Sequence, residues 1–149
     1  MPYRYLEGLT MADVAFEATG KTLEEMFASA ADAMMNTQVK GLKKVEPKLE
    51  RSFELKAADE ERLLHDFLQE LIFLKDAERL LFSSYELKIT KAKGAGSKGG
   101  GFTLSAKPRG EPLDMKKHEL LVDVKAVSWH KFSVEKTAKG WKAVVIIDV

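Results

Sequence analysis

Between residues 59 and 78 the chain reads DEERLLHDFLQELIFLKDAE, with Leu63, Leu64, Phe67, Leu68, Leu71 and Ile72 recurring at three- and four-residue spacing. That period winds a broad apolar stripe along a helix. Asp59 stands where an N-cap carboxylate would bond the first turn, and Glu60 and Glu61 occupy the turn where negative charge opposes the helix dipole. A stripe this wide cannot face water. It requires a large apolar surface opposite, so the rest of the fold has to be arranged around this helix, with His65, Asp66, Gln69 and Glu70 on its other sides.

The remaining elements supply that surface. YRYLEG reads as a short strand, and ADVAFEA sets Val14, Phe16 and Ala18 against Asp13, Ala15 and Glu17, the alternation of a half-buried strand. Asp13 therefore falls on the side away from the core. After Gly20, Thr22 and Glu25 form a capping box for a second helix carrying Leu23, Met26, Phe27, Ala30 and Met34 on one stripe, its methionines read as core filler. SFELKA, FSSYELKIT, GFTLSA, LLVDVKAVSWH, KFSVEK and WKAVVIID are strand-like, and KAKGAGSKGGG, KPRGEP and KTAKG separate the later ones. The expected fold is α+β, two helices packed on a largely antiparallel or mixed sheet, in one domain spanning 1–149.

Cysteine is absent, which excludes disulfides, thiolate nucleophiles and sulfur-ligated zinc. No apolar run approaches the ~20 residues of a membrane helix and the first residues lack a signal-peptide core, so the reading is a soluble, cytoplasmic protein. Charge is uneven: residues 1–87 hold 11 Lys/Arg against 17 Asp/Glu, and residues 88–142 hold 13 against 5. Such a basic segment suits a nucleic-acid surface, but these lysines fall mostly in turns and on outward strand positions, the pattern of a solvated face.

Several motifs fail on context. GAGSKG, residues 94–99, matches G-x-G-x-x-G, yet a strand follows it instead of the helix that a dinucleotide fold needs, so it reads as a hairpin tip. His65, His118 and His130 share no metal-binding spacing, and no serine sits in a nucleophile elbow. AVVIIDV is more telling: its apolar run implies a strand buried on both faces, with Asp148 at its mouth. If Val149 ends the chain, its carboxylate joins that of Asp148, and the cluster asks for a cation, a basic partner or water.

ADVAFEATGKTLEEMFASAADAMM, LLHDFLQELIF, GEPLD, VKAVSWH and VIIDV, in this order along nearly the whole chain, resemble the archease family. The resemblance implies a cytoplasmic, non-catalytic activator of the tRNA-splicing RNA ligase that joins 3′-phosphate or 2′,3′-cyclic phosphate ends to 5′-hydroxyl ends. It implies promotion of ligase guanylylation and multiple turnover, with tRNA met through the ligase. It also implies a calcium site whose matching positions here are Asp13, Asp148 and Val149, and a partner-contacting lysine at Lys125. Calcium takes six to eight oxygen ligands, so these contributors leave part of the shell open. Where the family commonly has a histidine before the strand, this chain has Thr10. Two other readings compete: a stand-alone RNA-binding module using the basic half, and a metal-dependent hydrolase built on Asp13 and Asp148. The first lacks aromatics interleaved with its lysines, since Phe102, Trp129, Phe132 and Trp141 are scattered and expected in the core; the second lacks a placed general base.

Overall fold

The computed structural model describes residues 2–7, 13–92 and 101–149. In chain order these form β1 (Tyr3–Leu6), β2 (Val14–Gly20), α1 (Leu23–Gln38), β3 (Val39–Lys40), a 3-10 turn at Leu42–Lys44, β4 (Leu49–Glu50), β5 (Phe53–Ala57), α2 (Glu60–Glu78), β6 (Leu80–Lys91), β7 (Phe102–Pro112), β8 (Glu119–Leu120), β9 (Ala126–Thr137) and β10 (Gly140–Asp148). The α+β class stands. The sheet, however, is divided: one four-stranded sheet runs β1-β2-β10-β9, a second gathers β4, β5 and β6 around β7, and β3 pairs with β8. Every strand pairing described is antiparallel.

Both helices start where their sequences place the caps. The Thr22 hydroxyl accepts from the Glu25 amide at 3.1 Å and the Glu25 carboxylate accepts from the Lys21 amide at 2.9 Å, closing the capping box. Asp59 accepts from the Arg62 amide at 2.8 Å. The α2 stripe is buried throughout, and α1 buries Met26, Phe27, Ala30, Ala31, Met34 and Met35 completely. Phe67 ties the layers together, its ring 5.8 Å from Phe27, 6.3 Å from Phe53 and 6.1 Å from Tyr85. Burial of an aromatic of this size contributes about 2–3 kcal/mol before packing terms are counted.

Three expectations are corrected. KPRGEP is not a separator, because β7 runs straight through it to Pro112. Gly110 is there because a Cβ would lie 1.7 Å from the Leu81 carbonyl oxygen, where β6 bulges between Phe82 and Ser84. Pro108, which cannot donate, still accepts from the Arg51 amide at 3.0 Å. LLVDVKAVSWH is not one strand: β8 ends at Leu120, residues 121–125 lie outside regular structure, and Leu121 and Val122 are exposed. Trp129 is not in the core but 51% exposed.

The GAGSKG motif and Thr10 lie outside the described residues. The arms flanking the motif nonetheless close a hairpin, Lys91 opposite Phe102 and the Ala92 amide bonded to the Gly101 carbonyl at 2.7 Å. The doubly buried strand is largely borne out. On β10, Ala143, Val145 and Ile147 join the main core, while Ile146 is 2% exposed on the reverse face beside Ala15, also 2% exposed.

Candidate functional site

β2 and β10 pair antiparallel in a register that sets Val14 against Ile147. The ladder ends at that pair, with Asp13 directly preceding Val14 and Asp148 directly following Ile147, so the two aspartates flank its last rung. Val14 and Ile147 pack on the core, so by alternation along β10 Asp148 projects from the reverse face, and both aspartates are half-buried.

β9 completes the corner from the other side of β10. Asp148 pairs with Ala126, and the Lys125 amide donates to the Asp148 carbonyl at 2.8 Å. The Lys125 side chain is exposed and makes no ion pair with an acid among the described residues. Val149 is half-buried and packs against the core. Asp13, Asp148, Val149 and Lys125, scattered through the sequence, thus come to one end of one sheet.

Polar side chains of α2 hold the segment that delivers Lys125, and sequence reasoning missed their role. Gln69 Oε1 accepts from the Val127 amide at 2.6 Å, and His65 Nε2 donates to the Val127 carbonyl at 2.9 Å. Lys75, buried, donates to the Val124 carbonyl at 2.7 Å and pairs with Asp123 and Asp76. β9 is an edge strand, and these bonds satisfy backbone groups that an edge would otherwise leave bare. The available signal was the spacing of His65 and Gln69, which are i and i+4 on the margin of the apolar stripe and therefore neighbours.

Beyond Ser128 the strand breaks register. Four residues, Trp129 to Phe132, sit opposite the single Val145, and Lys131 takes the left-handed conformation at φ 54°. Such a backbone is costly for a residue with a side chain and marks a bulge that re-aims its neighbours. It turns Trp129 flat onto His65, with ring centroids 3.8 Å apart and planes 6° from parallel.

The other histidine network is structural. His118 Nδ1 accepts from the Asp114 amide at 2.9 Å, which leaves Nε2–H to donate to Glu111 at 3.0 Å. Burial would raise the Glu111 carboxyl, but bonds from Lys117, the Glu46 amide and His118 hold it down at about 2. Both nitrogens of His118 are thus occupied, whereas His65 donates through Nε2 and keeps Nδ1 buried without a hydrogen-bond partner.

The donor set at the corner is oxygen throughout, the chemistry of a hard cation such as calcium or magnesium rather than zinc or copper. Among the described residues no three His, Cys, Asp or Glu side chains gather as a metal cluster. Two carboxylates fit a cation held in an incomplete shell, with further oxygens coming from main chain, water or a partner.

The model of the Archease protein family (MTH1598/TM1083) matches residues 3–149. The chain is 35% identical over 147 residues to the protein archease of Methanosarcina barkeri, covering 99% of this chain and 95% of that one. It is 38% identical over 139 residues to that of Pyrococcus abyssi, covering 93% of each. The solution structure of Methanobacterium thermoautotrophicum protein 1598 superposes with a TM-score of 0.78 at 30% identity, covering 99% of both chains. A crystal structure from Thermotoga maritima, described as an archease and possible chaperone, shares the fold with a TM-score of 0.57 at 15% identity over 94% of this chain and 93% of that one. With the family model matched almost end to end and relatives above 30% identity covered nearly in full, the chain belongs to the archease family.

Proposed function

We propose that this protein is a non-catalytic activator of the tRNA-splicing RNA ligase, promoting guanylylation of the ligase and its multiple turnover. Its working end is the corner of Asp13, Asp148, Val149 and Lys125. The observation that supports the reading is the register of β2 and β10, whose last pair, Val14 with Ile147, brings Asp13 and Asp148 to the same end of the sheet, where the Lys125 amide is bonded to the Asp148 carbonyl. Asp13, Asp148 and Val149 would hold a divalent cation, calcium by the oxygen donor set. A cation held by these residues would supply positive charge against the two carboxylates and coordination for a ligase oxygen. The chain's own part is positional. α2 fixes residues 123–127 through His65, Gln69 and Lys75, and β10 presents Asp148 between two strands, so the corner needs no rearrangement to meet a partner. Lys125, exposed beside the acids, would contact the ligase or its nucleotide, and tRNA would be reached only through the ligase. In this reading the protein works in the cytoplasm.

The test measures ligase guanylylation and joining of a 3′-phosphate RNA with ligase limiting, with and without this protein. Wild type should give multiple turnover, Asp13→Asn and Asp148→Asn should not, and Lys125→Ala should be impaired without loss of fold. Thermal unfolding with calcium, magnesium, manganese and chelator reports the metal separately. Binding at one hundred times the dissociation constant should stabilise wild type by about 2.7 kcal/mol. Wild type that ignores every cation while Asp13→Asn still abolishes activation would make Asp13 a direct ligase contact. Activation unchanged in both aspartate variants would remove the site.

A further inference from the structure

The other end of the same sheet holds a cavity of about 850 Å³ between the start of α1 and the turn joining β9 to β10. Trp141, paired with Gly20 across β2 and β10, forms one wall. Pro2, Ala28 and Ala138 line it as well, giving an apolar trough of the volume usual for a ligand or peptide site. Asp148 lies seven positions beyond Trp141 on β10, roughly 23 Å at strand rise, so the trough is distinct from the aspartate corner.

Its charge is one-sided. Lys21, Lys139 and Lys142 share the lining, and a fourth lysine, Lys136, holds its ammonium 5.9 Å from the centre of the Trp141 ring. Lys142 is offset by Glu135 at 3.0 Å and Glu17 at 3.7 Å. Lys21, Lys136 and Lys139 make no ion pair with an acid among the described residues. The single acid in the lining is Glu25, whose carboxylate is taken up by the Lys21 amide.

Those bonds decide what the trough can accept. A phosphate beside the start of α1 would want its open amides, yet Thr22 and Glu25 already occupy the Glu25 and Lys21 amides, and the Glu25 carboxylate would repel it. The apolar walls favour an apolar side chain inside, with carboxylates outside it reaching the uncompensated lysines. A partly buried tryptophan backed by the core is also the kind of rigid surface on which binding energy concentrates.

We infer that the trough between α1 and the β9–β10 turn is a docking groove for an acidic segment of a partner protein that inserts one large apolar side chain against Trp141. The groove reads an amphipathic peptide by shape at its floor and by charge at its edges. It is separate from the aspartate corner, so a partner engaging both would have to span the length of the sheet.

Labelled nine-residue peptides test this by fluorescence anisotropy and by Trp141 emission in a Trp129→Phe background. One peptide has a central leucine or phenylalanine flanked by glutamates, a second flanks the same residue with lysines, and a third sets serine among glutamates. A nine-nucleotide single-stranded RNA is the fourth probe. The acidic peptide with the apolar centre should bind saturably, shift the indole emission, and weaken as salt rises. Ala28→Trp, which fills the trough, and Lys139→Glu, which reverses an exposed charge, should each weaken it about tenfold. Lys139→Glu alters no packed side chain, so it decides the matter if the Ala28 variant does not fold. The inference is overturned if the acidic and basic peptides bind alike, if none binds at about 1 mM, if both variants bind as wild type, or if the RNA binds more tightly than any peptide.

Discussion

Asp32 is a buried liability that a one-atom change should relieve. It lies on α1 with Oδ1 shielded from solvent and without a hydrogen-bond partner, near Tyr3 and the Tyr85 hydroxyl, itself buried and unpartnered. Burial pushes the Asp32 carboxyl up from 3.8 to about 6. The folded state therefore binds this proton more tightly than the unfolded chain does. Its contribution is most favourable below about pH 4 and is lost as pH rises through 6, after which the folded protein carries an unpaired carboxylate in a poorly solvated place. At 1.36 kcal/mol for each tenfold change in proton affinity the cost at pH 7.5 has a ceiling of about 3 kcal/mol. The group is still partly open to water, and screening brings this to about 1–2 kcal/mol. Asp32→Asn keeps the shape and removes the charge. It should raise stability at pH 7.5 by that amount, equivalent to about 3–6 °C in Tm for a chain of this size. Urea unfolding of both proteins at pH 4.0, 5.5 and 7.5 gives the difference directly and cancels carboxylates common to both. The advantage should vanish near pH 4. An advantage of the same size at all three pH values, or none at 7.5, would refute the reasoning.

The Glu111 network should behave oppositely: Glu111→Gln costs about 2 kcal/mol at pH 7, and because Glu111 is held down at about 2 its contribution fades only as pH falls from 4.5 toward 2, measurable by acid unfolding of the pair. Gly110→Ala, whose Cβ would strike the Leu81 carbonyl oxygen, should cost more than ~3 kcal/mol or prevent folding, read from urea midpoints or soluble yield. Lys75→Met leaves the Val124 carbonyl without its partner and should cost about 1–3 kcal/mol, with faster amide exchange confined to residues 121–127. Phe67→Ala, emptying the contact among Phe27, Phe53 and Tyr85, should cost about 3–5 kcal/mol by urea unfolding.

The helices were legible because their information is local. Thr22 with Glu25, Asp59 with the α2 stripe, and the period of the apolar residues all operate within a few turns. Pairing is not local, and there the reading was incomplete. Nothing near KPRGEP says that Gly110 is required by a carbonyl of β6, so a Pro-Gly pair read as a turn proves to be strand. Leu120, Leu121 and Val122 look like strand interior, yet the segment is led across α2 by Lys75 and leaves them exposed. Trp129 was expected inside because it is large and apolar, but a four-residue bulge lifts it out. Asp13 and Asp148 could be singled out separately; their arrival at one end of the sheet depends on a register that joins an early strand to a late one.

That register also imposes an order in time. β10 lies between β2 and β9 and follows every other described strand in the chain, while β2 is among the first of them. Until β10 arrives, β2 has only the short β1 beside it, and Phe16 and Ala18 have no completed sheet to lie in. α1, α2 and the β6–β7 hairpin, built from nearby residues, can assemble first and wait. Closure of the first sheet therefore waits for β10, and the same pairing brings Asp13 and Asp148 to one end of that sheet: a nascent chain halted before β10 has an aggregation-prone open strand and an incomplete corner.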